Sequence, residues 1–350
     1  MKKIAVGILG ATGMVGQTLV KLLDGHPWFE VTEVAASEKS AGKTYEEAMK
    51  DRWGISPEIP EYARGLKLKE CRPDLDCEVA LSALDSGVAS EIERAFAKKG
   101  YAVSSNAKNH RMDSDVPLLI PEINPDHIGL IKTQRKKRDW KGFIVTDPNC
   151  STIQMCIALK PLVDSFGVDK AMVSTMQAVS GAGYPGVASM DIIDNVVPFI
   201  SGEEDKLETE PQKIFGNLSN GGIAQAKMDI SAQCNRVPVR YGHMESVSVK
   251  LSKKATKEEI VSSFKRFDPL RGMGLPSAPR HSIIYTAKEN RPQPKLDVDI
   301  ENGMTTVIGR LRECNVLDYK FTILGNNVVR GAAGAAMLNA ELLKVKGFIG

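Results

Sequence analysis

Ile4-Ala5-Val6-Gly7-Ile8-Leu9-Gly10-Ala11-Thr12-Gly13-Met14-Val15-Gly16 is the stretch from which the fold is read. Its first six residues form a short apolar run of the buried parallel-strand type, and an amphipathic helix follows the glycines through Leu23. Strand, glycine turn and helix in this order let the backbone approach a pyrophosphate, which the helix N-terminus then holds through free N–H groups and its dipole. The spacing is G-x-x-G-x-x-G rather than G-x-G-x-x-G, yet an ordinary strand-to-helix turn has use for one glycine, not three. Because the apolar start runs straight into this motif, it reads as a first strand and not as a secretion signal.

Further strands follow. Phe29 to Ala36, Glu78 to Leu84, Tyr101 to Ser104 and Phe143 to Thr146 are apolar runs of strand length, and Ser90 to Lys99 is an alanine-rich helix suited to packing on a sheet. The alternation predicts a Rossmann-type doubly wound parallel sheet in an α/β chain, with ligand at the C-terminal strand ends. At the end of the second strand a NAD-specific fold offers an acidic residue to the ribose. Here Ser37, Lys39 and Ser40 can hydrogen-bond and neutralise a 2′-phosphate, whereas Glu38 would repel it if it pointed inward. NADP is the expected cofactor. Ser86, Asn106 and Arg111 lie just past later strand ends, as ligand contacts or as polar loop residues. Residues 45–75 read only as connecting structure.

Asp147-Pro148-Asn149-Cys150-Ser151-Thr152 closes the sheet and opens a helix, with Ser151 or Thr152 as the expected cap. A cysteine at a helix N-terminus is placed to ionise and act as a nucleophile; a buried structural thiol is the competing account. Beyond it, Asp169 to Val179 is a strand leading into Ser180-Gly-Ala-Gly-Tyr-Pro-Gly186, a loop able to approach a flat ring or an oxyanion, or simply flexible. Residues 202–213 are helical, with Glu210 and Lys213 spaced as a surface ion pair. Arg236 and His243 begin two strand arms separated by a Tyr-Gly turn, which fits a base beside an anion-binding group, although a lone histidine is more often structural. A helix over Lys253 to Phe267 and strands at Thr305 to Leu311 and Lys320 to Leu324 complete a mixed sheet of α+β type, and a small-residue helix from Asn326 to Leu343 can dock on the first domain.

Composition narrows the partners. A formal charge of +3 over 350 residues argues against nucleic acid, and the basic run Gln134 to Arg138 lacks interleaved aromatics and reads as a solvated helix end. No apolar run approaches the roughly 20 residues needed to cross a bilayer. Cysteines 71, 77, 150, 156, 234 and 314 show no C-x-x-C pair and no histidine-rich spacing, so neither a disulfide framework nor a metal site is indicated, and a reducing cytoplasm is expected.

Taken in order, Gly10 to Gly16, Ala35 to Lys43, Pro148-Asn-Cys-Ser-Thr152, Met176 to Tyr184, Asn235-Arg-Val237 with Gly242-His243, and Asn327 with Arg330 to Gly334 make the chain resemble the aspartate-semialdehyde dehydrogenase family, in its archaeal and fungal branch. That resemblance covers nearly the whole chain. It implies reductive dephosphorylation of L-aspartyl-4-phosphate by NADPH, on the route to lysine, threonine, methionine and isoleucine. It assigns Cys150 as nucleophile, His243 as acid/base and Gln177 as the group orienting the acyl enzyme. Arg236 would take the substrate carboxylate, Glu210 its ammonium, Arg111 and Lys213 the phosphate, with Asn149 beside them. Cofactor contacts are expected from Gly10, Thr12, Gly13, Met14, Val15, Gly16, Ser37, Lys39, Ser40, Ser86, Asn106, Ser180, Gly181 and Asn327. Residues 1–148 with 326–350 would form the NADP-binding domain and 149–325 a catalytic and dimerisation domain, in a homodimer or homotetramer. Malonyl-CoA reductase shares the thioester and hydride chemistry, but pairing Arg236 with Glu210 suits an amino acid. N-acetyl-glutamyl-phosphate reductase would gain nothing from Glu210. A catalytically silent NADP-binding regulator would not need Cys150, Arg236 and His243 together.

Overall fold

The computed structural model describes residues 2–55 and 58–350; Met1, Ser56 and Pro57, which fall within spans read above, lie outside the described residues. In the first sheet, β1 (Ile4–Leu9), β2 (Phe29–Ala36), β3 (Leu68–Glu70), β4 (Val79–Ser82), β5 (Ala102–Ser105) and β6 (Phe143–Thr146) are ordered 3-2-1-4-5-6, and every pairing is parallel. Helices α1 (Met14–Leu22), α2 (Tyr45–Met49), α3 (Glu61–Arg64), α4 (Ser86–Lys99) and α5 (Leu130–Arg138) accompany them. All residues of β4, β5 and β6 are buried, as a sheet covered on both faces requires. Strand order reverses between β1 and β4, which opens a crevice at the carboxyl ends beside the Gly10 turn.

The expected doubly wound sheet is present, but residues 45–75 are more than a connection. They hold two short helices and β3, which extends the sheet beyond β2. Elements of three to five residues carry too little periodicity to be read. The basic run is also more tied down than a solvated end. Gln134 is buried, donating to the Asp115 and Ile144 carbonyls, and Arg138 is paired with Asp113 and Asp115.

Helix α6 (Cys150–Phe166) leads from the first sheet into the second. Its cap is Asn149, whose side chain accepts from the Ser151 and Thr152 N–H groups, so those two residues are the first turn and not the cap. The second sheet comprises β7 (Val168–Ala178), β10 (Asp229–Val237), β11 (His243–Leu251), β12 (Ile283–Thr286), β13 (Thr306–Glu313) and β14 (Tyr319–Gly325), in the order 10-7-11-14-13-12 with parallel and antiparallel pairs. The arms bearing Arg236 and His243 are therefore not neighbours, because β7 lies between them. Between these strands come α7 (Ser189–Ile192), α8 (Glu203–Ile214), the hairpin β8 (Asn217–Ser219) and β9 (Gly222–Ala224), α9 (Lys257–Arg266) and α10 (Pro294–Asp297). α6 and α9 share one apolar core with this sheet, through residues such as Ile153, Ile157, Leu162, Ile260, Phe264 and Phe321. The final helix, α11 (Gly334–Val345), sends Met337, Ala340 and Leu343 into the core of the first sheet, and the Ala336 carbonyl accepts from Ser104. Among the described residues, no helix is long and apolar enough to cross a membrane.

Candidate active site

A cleft of about 970 Å³ follows the carboxyl edge of the first sheet and continues to the start of α6. At one end it is lined by Gly10, Thr12, Gly13, Met14 and Val15. Gly10 has φ of +75°, and a Cβ there would stand 2.5 Å from the Ala83 carbonyl oxygen, so both conformation and space exclude a side chain. Gly13 caps α1 without a side-chain hydrogen bond, leaving the helix end open to an anion. Gly16 does not line the cleft. A Cβ at Gly16 would meet the Gly10 carbonyl at 2.2 Å, and its role is to let α1 pack on the turn.

Ser37 lines the cleft at the end of β2, together with Glu38, whereas Lys39 and Ser40 do not. The turn after the strand carries those two away, and Ser40 is buried with its N–H bonded to the Ser37 carbonyl. Positive charge at this end comes instead from Arg52 and Arg72, both from the stretch that was unreadable in sequence. Arg72 is paired with Glu70 at 2.6 Å. Ser86, Asn106, Ser180, Gly181 and Asn327 also line the cleft. Asn327 ties two of its walls together: its amide donates to Ser180 Oγ at 2.9 Å, and its carbonyl accepts from the Gly242 N–H at 2.9 Å.

At the other end, Cys150, Asn149, Gln177, Arg236, Arg111, Glu203 and Lys206 surround one space. Glu203 organises it. One of its oxygens accepts from Asn149 Nδ2 at 2.8 Å and Gln177 Nε2 at 3.1 Å, and the other is paired with Lys206. Against burial, which raises a carboxyl, Lys206 and these amides hold Glu203 below its usual range. Arg236 donates from Nη1 to the Ala178 carbonyl at 2.8 Å, aligning its guanidinium with the end of β7.

The resemblance assigns Glu210 and Lys213 to the substrate; in the structure their polar atoms are engaged within the protein. Both Glu210 oxygens are used inside the protein, Oε1 by Arg111 Nη1 at 3.0 Å and Oε2 by the Asn149 N–H at 2.7 Å. Lys213 Nζ donates to the carbonyls of Arg111, Asp113 and Val116 at 2.6, 2.8 and 2.7 Å, and burial brings its pKa down to about 8. Neither lines the cleft. The Glu-x-x-Lys pattern occurs twice in α8, at 203/206 and 210/213. Seven residues are nearly two turns, so both pairs share a face but are offset by about 10 Å along the axis. The first pair reaches the cleft, and the second braces the loop carrying Arg111.

Burial bears on both candidate catalytic groups. Burial, with Glu203 nearby, pushes the Cys150 thiol up to about 12, against the pull of Arg111, Lys206 and Arg236. Cys150 is half-buried and lines the cleft. His243 is wholly buried and does not itself line the cleft; Gly181 covers it, with the imidazole Nε2 3.1 Å from where a Cβ on that glycine would stand. Its Nδ1 accepts the Ala178 N–H at 3.0 Å, and burial, then Arg236, lower its pKa to about 3. The neutral ring therefore carries its proton on Nε2 and offers a donor, the acid half of the acid/base role.

A dinucleotide turn opening onto the same cleft as a helix-starting cysteine defines a class: dinucleotide-dependent oxidoreductases that work through a covalent thiol. Residues 5–131 match the model of the semialdehyde dehydrogenase NAD binding domain, and residues 159–330 that of the semialdehyde dehydrogenase dimerisation domain. The chain belongs to the semialdehyde dehydrogenase family. It is 48% identical over 342 residues to the aspartate-semialdehyde dehydrogenase of Archaeoglobus fulgidus, covering 97% of this chain and 98% of that one. With the corresponding protein of Candida albicans it shares 43% over 361 residues, 98% of each chain. The crystal structure of aspartate semialdehyde dehydrogenase with NADP from Candida albicans superposes with a TM-score of 0.91 at 41% identity, over 99% of this chain and 100% of that one. Aspartate semialdehyde dehydrogenase II of Vibrio cholerae complexed with ASA gives 0.79 at 27% identity, over 100% of both chains.

Proposed function

We propose that the protein reduces L-aspartyl-4-phosphate to L-aspartate-4-semialdehyde and phosphate with NADPH, through a thioester on Cys150. The observation that carries this is the meeting, in one cleft, of the Gly10–Gly13 turn with Cys150, Gln177, Arg236 and the Glu203–Lys206 pair. The uncapped start of α1 fits the pyrophosphate, and Ser37 with Arg72 and Arg52 fits a 2′-phosphate. When bound, NADPH supplies the hydride that reduces the acyl carbon.

The chain's own residues do the rest. Arg236 receives the α-carboxylate through its planar fork, and Glu203, in place of Glu210, receives the α-ammonium. Lys206 and Arg111 face the phosphate. In the filled site Arg111, Lys206 and Arg236 favour the Cys150 thiolate, and the thiol proton passes to the departing phosphate, which leaves as hydrogen phosphate. The sulfur bonds to the acyl carbon while the carbon–oxygen bond to phosphate breaks. Gln177, fixed by Glu203 and by Thr175 Oγ1 at 3.0 Å, holds the acyl group in line. His243 donates from Nε2 toward charge developing on the acyl oxygen once the turn over Val179–Ala182 shifts off it.

Residues 1–148 with 326–350 would serve as the NADP-binding domain and 149–325 as the catalytic and dimerisation domain, in a homodimer or homotetramer. Six free cysteines support a cytoplasmic setting. Malonyl-CoA has no ammonium, and the carboxylate of Glu203 beside Arg236 disfavours it. One assay tests the reading: phosphate-dependent NADP reduction with aspartate semialdehyde should be fast and reduction of malonyl-CoA negligible, and the reverse would overturn it.

A further inference from the structure

Behind the site is a second layer of which the mechanism above uses only Thr175. Register on the inner face of the second sheet sets Arg236 beside Gln177; Met244 faces Met176, which brings His243 opposite Gln177, and His243 pairs with Gly325. Two residues deeper, the next row is Cys234, Thr175, Glu245 and Ile323, all buried. This deeper row already supports the first, since Thr175 Oγ1 donates to Gln177.

Glu245 stands in that row without exposure, and neither of its oxygens has a hydrogen-bond partner in the protein. From the opposite side comes Gln154 of α6, one turn after Cys150 and on the same helix face, also without exposure and with both amide atoms unpartnered. Its carboxamide reaches the strand beside His243: a Cβ on Gly325 would meet Gln154 Cδ at 2.4 Å. Two apolar side chains would fill this space without the desolvation that a buried carboxyl and amide suffer. Burial keeps the Glu245 proton on well above the usual carboxyl range, and the titratable groups that sense it are Cys156 on α6 and Cys234 on β10. A neutral acid and a primary amide are complementary, each able to donate to the other.

We propose that Glu245 and Gln154 form an acid–amide couple, closed through an internal water, that joins β11 to α6 and sets the position of Cys150 relative to His243. They are positioning residues: neither meets the substrate. The inference rests on the thioester reading, because it matters only if Cys150 is the nucleophile.

The test compares Glu245→Gln with the double variant Glu245→Leu/Gln154→Leu in the full-length enzyme. The leucine pair is expected to fold with an undiminished Tm, yet to lose about tenfold or more in kcat with little change in KM, since small displacements of reacting groups are costly. Its pH profile for alkylation of Cys150 by iodoacetamide should shift. Glu245→Gln, which preserves the pairing, should stay within about threefold of wild type. Wild-type kcat and alkylation profile in the leucine pair would overturn the couple while leaving the proposed function intact; an inactive wild type would instead overturn the function. If the leucine pair does not fold, infrared difference spectra of wild type against Glu245→Gln decide. A protonated carboxylic acid band at neutral pH, lost in the variant, supports the couple, and a carboxylate band contradicts it.

Discussion

His243 and Ala178 are locked together by a hydrogen bond of 3.0 Å from the Ala178 backbone N–H to the imidazole Nδ1, and the carbonyl of the same residue accepts from Arg236. A single residue at the end of β7 thus orients both the ring and the guanidinium, and settles which ring nitrogen carries the proton. With its pKa lowered to about 3, folded His243 refuses a proton that the unfolded chain accepts near 6.5. Its contribution to stability is complete above pH 6.5 and drains as pH falls toward 3. His243→Asn, whose amide oxygen can accept the same N–H, should therefore lose less Tm than wild type between pH 7 and pH 5. Equal losses in the two proteins would show that His243 is not the buried neutral imidazole described.

Replacing Cys150 by serine should cut turnover by about a thousandfold or more, because only the nucleophile is lost. NADP affinity, followed by fluorescence titration, should be unchanged. Near-normal turnover would remove covalent catalysis from the account.

The two Glu-x-x-Lys pairs of α8 separate by measurement. Lys206→Met should raise KM for phosphate by about tenfold with little change in Tm, since its partner Glu203 faces the cleft. Glu210→Ala should instead destabilise the fold by about 3 kcal/mol, by leaving Arg111 buried without its carboxylate. A stable Glu210→Ala enzyme with a selective loss of substrate binding would return Glu210 to the site.

At the cofactor end, Arg72→Glu should weaken NADP by about tenfold or more and leave NAD nearly unaffected, because only the former carries a phosphate for the guanidinium to meet. Equal weakening of both would place the 2′-phosphate elsewhere, Lys39 and Ser40 included.

What could be read beforehand was whatever a single local pattern fixes. The Gly10 turn follows a strand and starts a helix, and Cys150 starts another, so both follow from chain-local physics. Cross-strand register and helix rotation do not. Whether Glu203 or Glu210 faces the cleft depends on where α8 begins against β10, and two identical spacings on one helix face gave no means of choosing. Arg72 was missed because β3 is only three residues long. Burial and the Glu203 carboxylate, which oppose the pull of a helix N-terminus on the Cys150 thiol, come from the fold and have no local signature in the sequence.

The most direct test of the central claim is mass spectrometry of the enzyme mixed with aspartate semialdehyde and NADP in the absence of phosphate. One acyl group should accumulate per chain, on the peptide containing Cys150, with a stoichiometric burst of NADPH, and both should discharge into continued turnover when phosphate is added. No adduct, or an adduct on another residue that turns over at the same rate, would contradict a thioester at Cys150.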